Sequence, residues 1–271
     1  MFLCRPPRDP ALARLVDTLW VQSEALPHPR ERIVPSGRAQ LLLNLGGDVL
    51  REHRLDGRLA NETRGLAIQG LRTGPLVIDT SDQRHACGAS LAHGAVRQLF
   101  GLPASELADQ LVELDALWGI GARRMRDRVG EAPSLEAQLD ALEAALLEIV
   151  ARRSPDRRAI EACHRLARGE PVAAVVDRGG FTAATLIRHM REHIGVAPKL
   201  FSRILRFQSA LRGVARSTSW AQLALEAGFA DQAHLVREFR HFSGTSPSAY
   251  RPRTDAQNHI PLLDDPTARG A

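Results

Sequence analysis

A chain of 271 residues is too long for one small domain and suits two of roughly 100–150 residues. Its 44% hydrophobic and 25% charged residues exclude collagen-like, mucin-like and wholly disordered chains. The net charge of +5 is unevenly spread: Arg152 to Arg253 holds 18 Arg and Lys against 8 Asp and Glu, whereas residues 1–151 hold 17 against 20. A basic block joined to a slightly acidic one is the layout of a nucleic-acid-binding module attached to a regulatory module. No apolar run is long enough to span a membrane, and the opening MFLCRPPRDP has no apolar leader segment. The chain is therefore expected in the cytoplasm, with no membrane partner.

The first block reads as β-rich. QLLLNL at 40–45 is a strand, Gly46-Gly47-Asp48 a turn, and VLREHRL a second strand. GLAIQGLRTGPLVIDT gives two more, split by Thr73-Gly74-Pro75, and RHACGASL another before a short helix in HGAVRQLFGL. Several short strands with close turns predict a small barrel or sandwich over residues 1–115. Helices take over from Asp115, which is expected to cap a run through Trp118, Met125 and Val129 to Gly130. Pro133-Ser134 opens a further helix whose leucines fall at 135, 139, 142 and 146, with Ile149 next. That is a two-heptad apolar stripe. It is too short to hold a coiled coil alone, so it packs on its own domain or forms a dimer seam. Residues 116–152 thus read as a helical connector.

Ser154-Pro155 begins the basic block, 153–252, in which six helices and a last turn near Tyr250 are predicted. The remaining residues, 253–271, show no sustained period and are expected to be disordered. The block contains a duplication. GGFTAATLIRHMREHIGVAPKLF at 179–201 overlays AGFADQAHLVREFRHFSGTSPSAY at 227–250. Gly180-Phe181 meets Gly228-Phe229; after a one-residue shift Leu186 meets Leu235, Arg188 meets Arg237, Arg191 meets Arg240, Gly195 meets Gly244, Pro198 meets Pro247 and Phe201 meets Tyr250. Each copy has a short apolar helix, a glycine that permits a left-handed turn, an aromatic at the corner, and a cap (Thr182 or Asp231) that starts a second helix. Such a unit can lay its second helix in a major groove while the first crosses the backbone.

The stretch ALEAGFADQAHLVREFRHFSGTSPSAYR resembles the signature of AraC/XylS-type transcription regulators. The preceding copy and the long helix KLFSRILRFQSALRGV resemble that family's tandem helix-turn-helix domain over about 157–252. The first copy departs from the pattern at Val176, where the family has a small residue, and at Arg178-Gly179-Gly180, a looser turn. RIVPSGRAQLLLNLGG and LPASELADQLVELDALWG resemble the ends of a β-rich, cupin-like sensory domain found in some of these regulators.

The fold expected is thus α+β: a β-rich barrel or sandwich, a helical connector, and an all-α tandem helix-turn-helix domain. The resemblance implies a non-enzymatic transcription regulator, an activator with repression left open, that binds double-stranded DNA, answers to a small-molecule effector, contacts RNA polymerase and forms a homodimer. It also implies that helix 198–213 spaces two recognition helices about one DNA turn apart. Base reading is assigned to Thr182, Ala184, Thr185, Ile187 and Arg188 in the first copy and to Gln232, Ala233, His234, Val236 and Arg237 in the second. Arginine suits guanine, glutamine suits adenine, and alanine or isoleucine suits thymine methyls. Arg203 is assigned a phosphate contact.

Other constellations carry less. Cys4, Cys87 and Cys163 are too dispersed for a disulfide framework or a structural zinc site. His85 and Cys87, with His93 beyond, offer too few ligands for a metal, and no cofactor is expected. Cys87 is a candidate thiol sensor only if its surroundings activate it. No GxSxG nucleophile turn and no phosphate-binding glycine loop is present. Trp20 and Trp118 are expected in the core, and Trp220 against the second copy. A metal-binding or enzymatic cupin-like domain joined to a DNA-binding tail is the alternative reading; a helical scaffold without DNA function is a third.

Overall fold

The computed structural model describes residues 1–150, 157–214, 216–217, 219–253 and 259–262. The boundary expected near residue 152, with Ser154-Pro155, lies outside them. Eleven strands are present among the described residues: β1 (Phe2–Arg5), β2 (Val16–Ser23), β3 (Arg30–Ile33), β4 (Gln40–Asn44), β5 (Val49–His53), β6 (Leu59–Arg64), β7 (Leu66–Gln69), β8 (Leu76–Asp79), β9 (His85–Leu91), β10 (Leu111–Glu113) and β11 (Ile260–Leu262). They form two antiparallel sheets, ordered β1-β2-β9-β4-β7-β10 and β11-β3-β8-β5-β6. The sheets face each other without closing, so the sandwich expectation holds and the closed barrel does not.

Alternation decides what each face of the first sheet meets. Leu19 and Val21 of β2, Leu41 and Leu43 of β4, and Cys87, Ala89 and Leu91 of β9 are buried in one core. Their neighbours in sequence occupy the opposite face, because successive side chains point to opposite sides of a strand. Register lines those neighbours into rows across the sheet. One row runs Thr18, Ser90, Gln40, Gln69, Leu111, and the next includes Trp20, Gly88 and Leu42. Gly88 is required there, since a Cβ would stand 2.6 Å from the Trp20 ring and 2.2 Å from the Leu41 carbonyl oxygen.

The helices are α1 (Ala95–Phe100), α2 (Asp115–Trp118), α3 (Ile120–Gly130), α4 (Leu135–Val150), α5 (Arg157–Ala167), α6 (Val172–Gly179), α7 (Ala183–His193), α8 (Pro198–Val214), α9 (Trp220–Glu226) and α10 (Gln232–Ser243). The single run expected from Asp115 is broken at Gly119. Asp115 lies inside α2, and its carboxylate pairs with Arg123 (3.1 Å) instead of capping. Two local signals, a possible cap and a glycine, competed there, and the glycine prevailed.

Ser134 does start α4, accepting a hydrogen bond from the Ala137 N–H (3.2 Å). The leucine stripe settles inward: Leu139, Leu142 and Leu146 are fully buried against the first sheet and α3. They are part of one protomer's core, so the dimer seam expected as the alternative is overturned. Spacing identified the apolar face of α4 but could not say what would cover it. Glu143 anchors the same helix to the chain start, accepting from the backbone N–H groups of Arg8 (2.6 Å) and Asp9 (2.9 Å) and from Arg5 (2.6 Å). The expected connector is therefore a helical layer on the N-terminal sheet.

The tail expected to be disordered contains β11, which pairs with the edge of β3 through Ile260–Arg32 and Leu262–Arg30. Three residues show no period to read; a tertiary partner supplies the order.

Candidate nucleic-acid interface and an interdomain cavity

The second half folds around α8. Phe201, Ile204, Phe207 and Ala210 of that helix are fully buried and meet both duplicated units in one core, with Val175 and Leu186 from the first and Leu235, Phe239 and Phe242 from the second. In each unit the short helix ends at a glycine in the left-handed region: Gly180 at φ 62° and Gly228 at φ 77°. The corner aromatic follows. Phe181 returns a hydrogen bond to the Val176 carbonyl (3.2 Å) and Phe229 to the Ala224 carbonyl (2.8 Å). The first turn is not loose: a Cβ on Gly179 would lie 2.5 Å from the Phe181 ring, so Gly179, ahead of the left-handed Gly180, is what lets the aromatic fold back.

The predicted caps form. Thr182 Oγ1 accepts from the Thr185 N–H at 3.1 Å and Asp231 from the His234 N–H at 2.6 Å. Each satisfies one of the free donors of a helix start and fixes where the helix begins. α7 and α10 then bury one stripe each and leave the other face open. Of the residues assigned to base reading, Thr182, Ala184, Ile187, Arg188, Gln232, Ala233 and Arg237 are exposed, and Thr185, His234 and Val236 are half-buried. Ile187 is 40% exposed. Arg188 and Arg237 occupy equivalent places, and neither has an ion pair among the described residues.

Two assigned residues have other partners. His234 Nδ1 accepts from the Ala230 N–H (3.4 Å), and its ring stands edge-on to Phe229 (5.3 Å). Arg203 grips Glu238 of α10 with Nε (2.8 Å) and Nη2 (3.0 Å). That pair holds the Glu238 carboxyl below its usual range, with His234 and His241 adding to the effect. Arg203 is thus placed to orient α10, a role its sequence position did not reveal because its partner lies 35 residues on.

A cavity of about 390 Å³ lies between the two sheets, within the size range of small-molecule sites. Its wall includes Trp20, Leu42 and Gln69 from the first sheet, Glu52 from the second, and Arg72 from the loop joining them. Trp20 is therefore a cavity residue, not the core residue expected. Two further wall residues, Gln208 of α8 and His259 just before β11, come from the second half of the chain. Gln69 bridges the sheets by donating to Glu52 Oε1 (2.6 Å), and Arg72 and Asn61 donate to Glu52 Oε2.

The two halves meet at the same place. Gln208 donates to the Pro35 carbonyl (2.5 Å) and Arg32 to the Ser243 carbonyl (3.2 Å). His93 stands edge-on to Phe201 (5.0 Å); burial and the nearby Arg38 charge push its imidazole down to about 3, so it is neutral. Glu31, 1% exposed, binds His28 (2.8 Å), His259 (2.9 Å) and Arg253 (3.2 Å). Burial alone would raise the Glu31 carboxyl, but hydrogen bonds from His259 and His28 and the Arg253 charge outweigh it and hold it low.

No group of three or more His, Cys, Asp or Glu suited to a metal occurs among the described residues. His85 hydrogen-bonds Gln138 (3.0 Å). Cys87 is buried on the core face, and burial pushes its thiol up to about 12, which removes the thiolate a sensor needs. Trp118 stacks on Phe100 (4.9 Å) and Trp220 packs against the second core. No helix among the described residues is long and apolar enough to cross a membrane. Sequence reasoning missed Glu52, Gln69, Arg72 and Gln208. The one available signal was polarity on a face of β2 and β4 that a sandwich interior would otherwise make apolar.

Residues 180–253 match the family described as a helix-turn-helix domain, and residues 5–113 match a domain of unknown function, DUF6597. The chain is 38% identical over 81 residues to an uncharacterized HTH-type transcriptional regulator of Haemophilus influenzae, covering 30% of this chain and 27% of that one. It is 33% identical over 84 residues to the HTH-type transcriptional activator RhaS of Escherichia fergusonii, covering 31% and 30%. The chain thus spans less than a third of these relatives. Among solved structures, ToxT of Vibrio cholerae with a bound unsaturated fatty acid covers 92% of this chain and 94% of its own, at 11% identity and a TM-score of 0.47.

Proposed function

We propose that the chain, whose residues 180–253 match a helix-turn-helix domain family and whose C-terminal part is similar to AraC/XylS-type regulators, is a sequence-specific transcription regulator controlled by a small-molecule effector. The observation that carries this reading is the pair of capped helices α7 and α10. Both are mounted on α8 with open faces, and both present at the same place an arginine that has no ion-pair partner among the described residues.

In this reading the two helices enter successive major grooves of double-stranded DNA. Thr182, Ala184, Thr185, Ile187 and Arg188 face one set of base edges, and Gln232, Ala233, His234, Val236 and Arg237 face the other. Arg203 supports α10 from behind. Residues 1–150 form the sensing half, with the effector in the cavity between the sheets. Gln208 carries occupancy of that cavity to the DNA-binding half, since a ligand that contacts it changes the energy of one arrangement relative to another. The reading is of a cytoplasmic activator, not an enzyme. RNA polymerase and a second copy of the chain are its protein partners, the copy meeting through a surface other than the buried leucine stripe.

Genome-wide mapping of bound sites would supply the operator, and gel-shift titration at moderate salt would test it. Retardation of mapped sites well below the concentration needed for random DNA is expected. Equal retardation of both would overturn the proposal.

A further inference from the structure

The polar groups of the cavity wall are not evenly matched. Gln69 donates its amide to the Glu52 carboxylate and Gln208 donates its own to the Pro35 carbonyl. A carboxylate and a carbonyl only accept, so the nitrogen of each amide must face them. The Oε1 atoms of Gln69 and Gln208 are thereby left as acceptors, and neither has a partner among the described residues. On the donor side, Arg72 is only 5% exposed and commits Nη2 to Glu52; its Nε has no partner among the described residues but is closed off from the cavity, so Arg72 offers a ligand no free donor there.

Charge narrows the class further. Each cation on the wall already faces a carboxylate: Arg72 with Glu52, Arg51 with Glu62 and Asp82, and His259 with Glu31. An incoming carboxylate or phosphate would shed its hydration and find no unbalanced positive charge. Trp20, lying against Gly88, adds a flat apolar surface to the wall.

We infer that the cavity takes an uncharged ring compound rich in N–H or O–H donors, which meet the free oxygens of Gln69 and Gln208, and discriminates against anions of the same size. Polyol rings and neutral heterocyclic amides share this chemistry. The inference rests on the effector reading and specifies it. Since Gln208 stands on α8, one of the ligand's donors is taken up by the DNA-binding half itself.

The test is isothermal titration of the full chain with two matched pairs: galactose against galacturonate, and uracil against orotate. In galacturonate a carboxylate replaces the C6 hydroxymethyl group of galactose, in orotate it replaces the C6 hydrogen of uracil, and the two pairs separate polyols from heterocyclic amides. At least one neutral member is expected to bind about tenfold or more tightly than its anionic twin. Gln69→Leu is expected to weaken it by a similar factor, as is Gln208→Leu, which removes the acceptor on α8. The melting temperature of each variant, measured alongside, shows that it is folded. Tighter binding of either anion, or binding of none of the four at millimolar concentration, would overturn the ligand class. The effector reading is judged separately, by operator affinity with the bound compound present. A shift of about 5–150-fold supports it. A neutral compound that binds but leaves operator affinity unchanged would sink the effector reading and leave the class standing.

Discussion

The two helix-turn-helix units share a sequence pattern but not a setting. The first leans on the N-terminal half: α7 packs against α1 and the turn at Ala104–Glu106, Gly195 sits against the Ala104 carbonyl, and His93 covers Phe201. The second is held mainly by its own half. Arg203 fixes Glu238, Phe207 meets Phe239 and Phe242, and Tyr250 closes edge-on over Phe239. Phe201 and Tyr250 are equivalent in the repeat, yet one is capped by the sensing half and the other by its own helix. A duplicated sequence therefore yields one unit packed on a helix and a turn of the sensing half and one joined to it chiefly by the Arg32–Ser243 hydrogen bond. Effector control should act on α7, with α10 as the constant anchor.

The largest break in that asymmetry is expected from Leu139→Arg with Leu146→Arg. These side chains are fully buried in the N-terminal core, so each change buries an unpaired charge at a cost of several kcal/mol. Thermal melting followed by circular dichroism should show the sensing half unfolded. A chain that melts like wild type but is smaller by light scattering would instead restore the dimer seam. Glu31→Gln is next. It removes the buried carboxylate that joins His28, His259 and Arg253 across the two halves, and breaking such a cluster costs ~3–5 kcal/mol. The pH dependence has a definite sign. The folded carboxyl titrates below its ordinary value, so its contribution is present above about pH 4.5 and is lost as pH falls through the lowered value. Urea unfolding between neutral and acid pH should therefore be steeper in pH for wild type than for Glu31→Gln.

The recognition half was legible because its signals are local. A glycine, an aromatic, a cap and a helical period fall within a few residues of one another, and the repeat doubles each. The sensing half was legible only in part. β4, β5, β7, β8 and β9 carry apolar runs and turns, but β1, β2, β3 and β6 place polar residues such as Asp17, Glu31 and Asn61 inside strands and gave no clear alternation. The cavity was out of reach for a physical reason: Trp20, Glu52, Gln69, Arg72 and Gln208 come from separate segments, and only register and interdomain docking bring them together. The leucine stripe marks the same limit, since spacing names a face and not its partner.

Arg237→Ala and Arg188→Ala compare the two units directly at the DNA. If each arginine reads a guanine edge through two hydrogen bonds, Arg237→Ala should cost ~1–3 kcal/mol at the operator and relax preference at one base pair. Arg188→Ala should do the same about one helical turn away. Its cost should vary with effector, because α7 rests on the sensing half, whereas that of Arg237→Ala should not. Both residues are exposed, so melting temperatures should stay within the effect of ~0.5 kcal/mol. Competition against singly mutated operators decides the matter. Equal loss on specific and random DNA would make Arg237 a phosphate contact.

The smallest effect is expected at Arg203, and its form is the informative part. As a phosphate contact, Arg203→Ala would weaken binding to every sequence and lower the salt slope by about one. In the structure Nε and Nη2 are both committed to Glu238, with the guanidinium 5.3 Å from the Phe242 ring centre. The pair is partly solvent-exposed, at 31% and 13% for the two side chains, so its loss should cost only ~0.2–1 kcal/mol. Arg203→Ala should therefore leave the salt slope unchanged and slightly lower both the melting temperature and operator affinity, by misplacing α10. Glu238→Gln should reproduce that pattern, and the double variant should cost little more than either single change, because two residues acting through one contact are not additive. A salt slope that falls by one in Arg203→Ala but not in Glu238→Gln would return Arg203 to the DNA backbone and leave α10 held by its aromatic contacts alone.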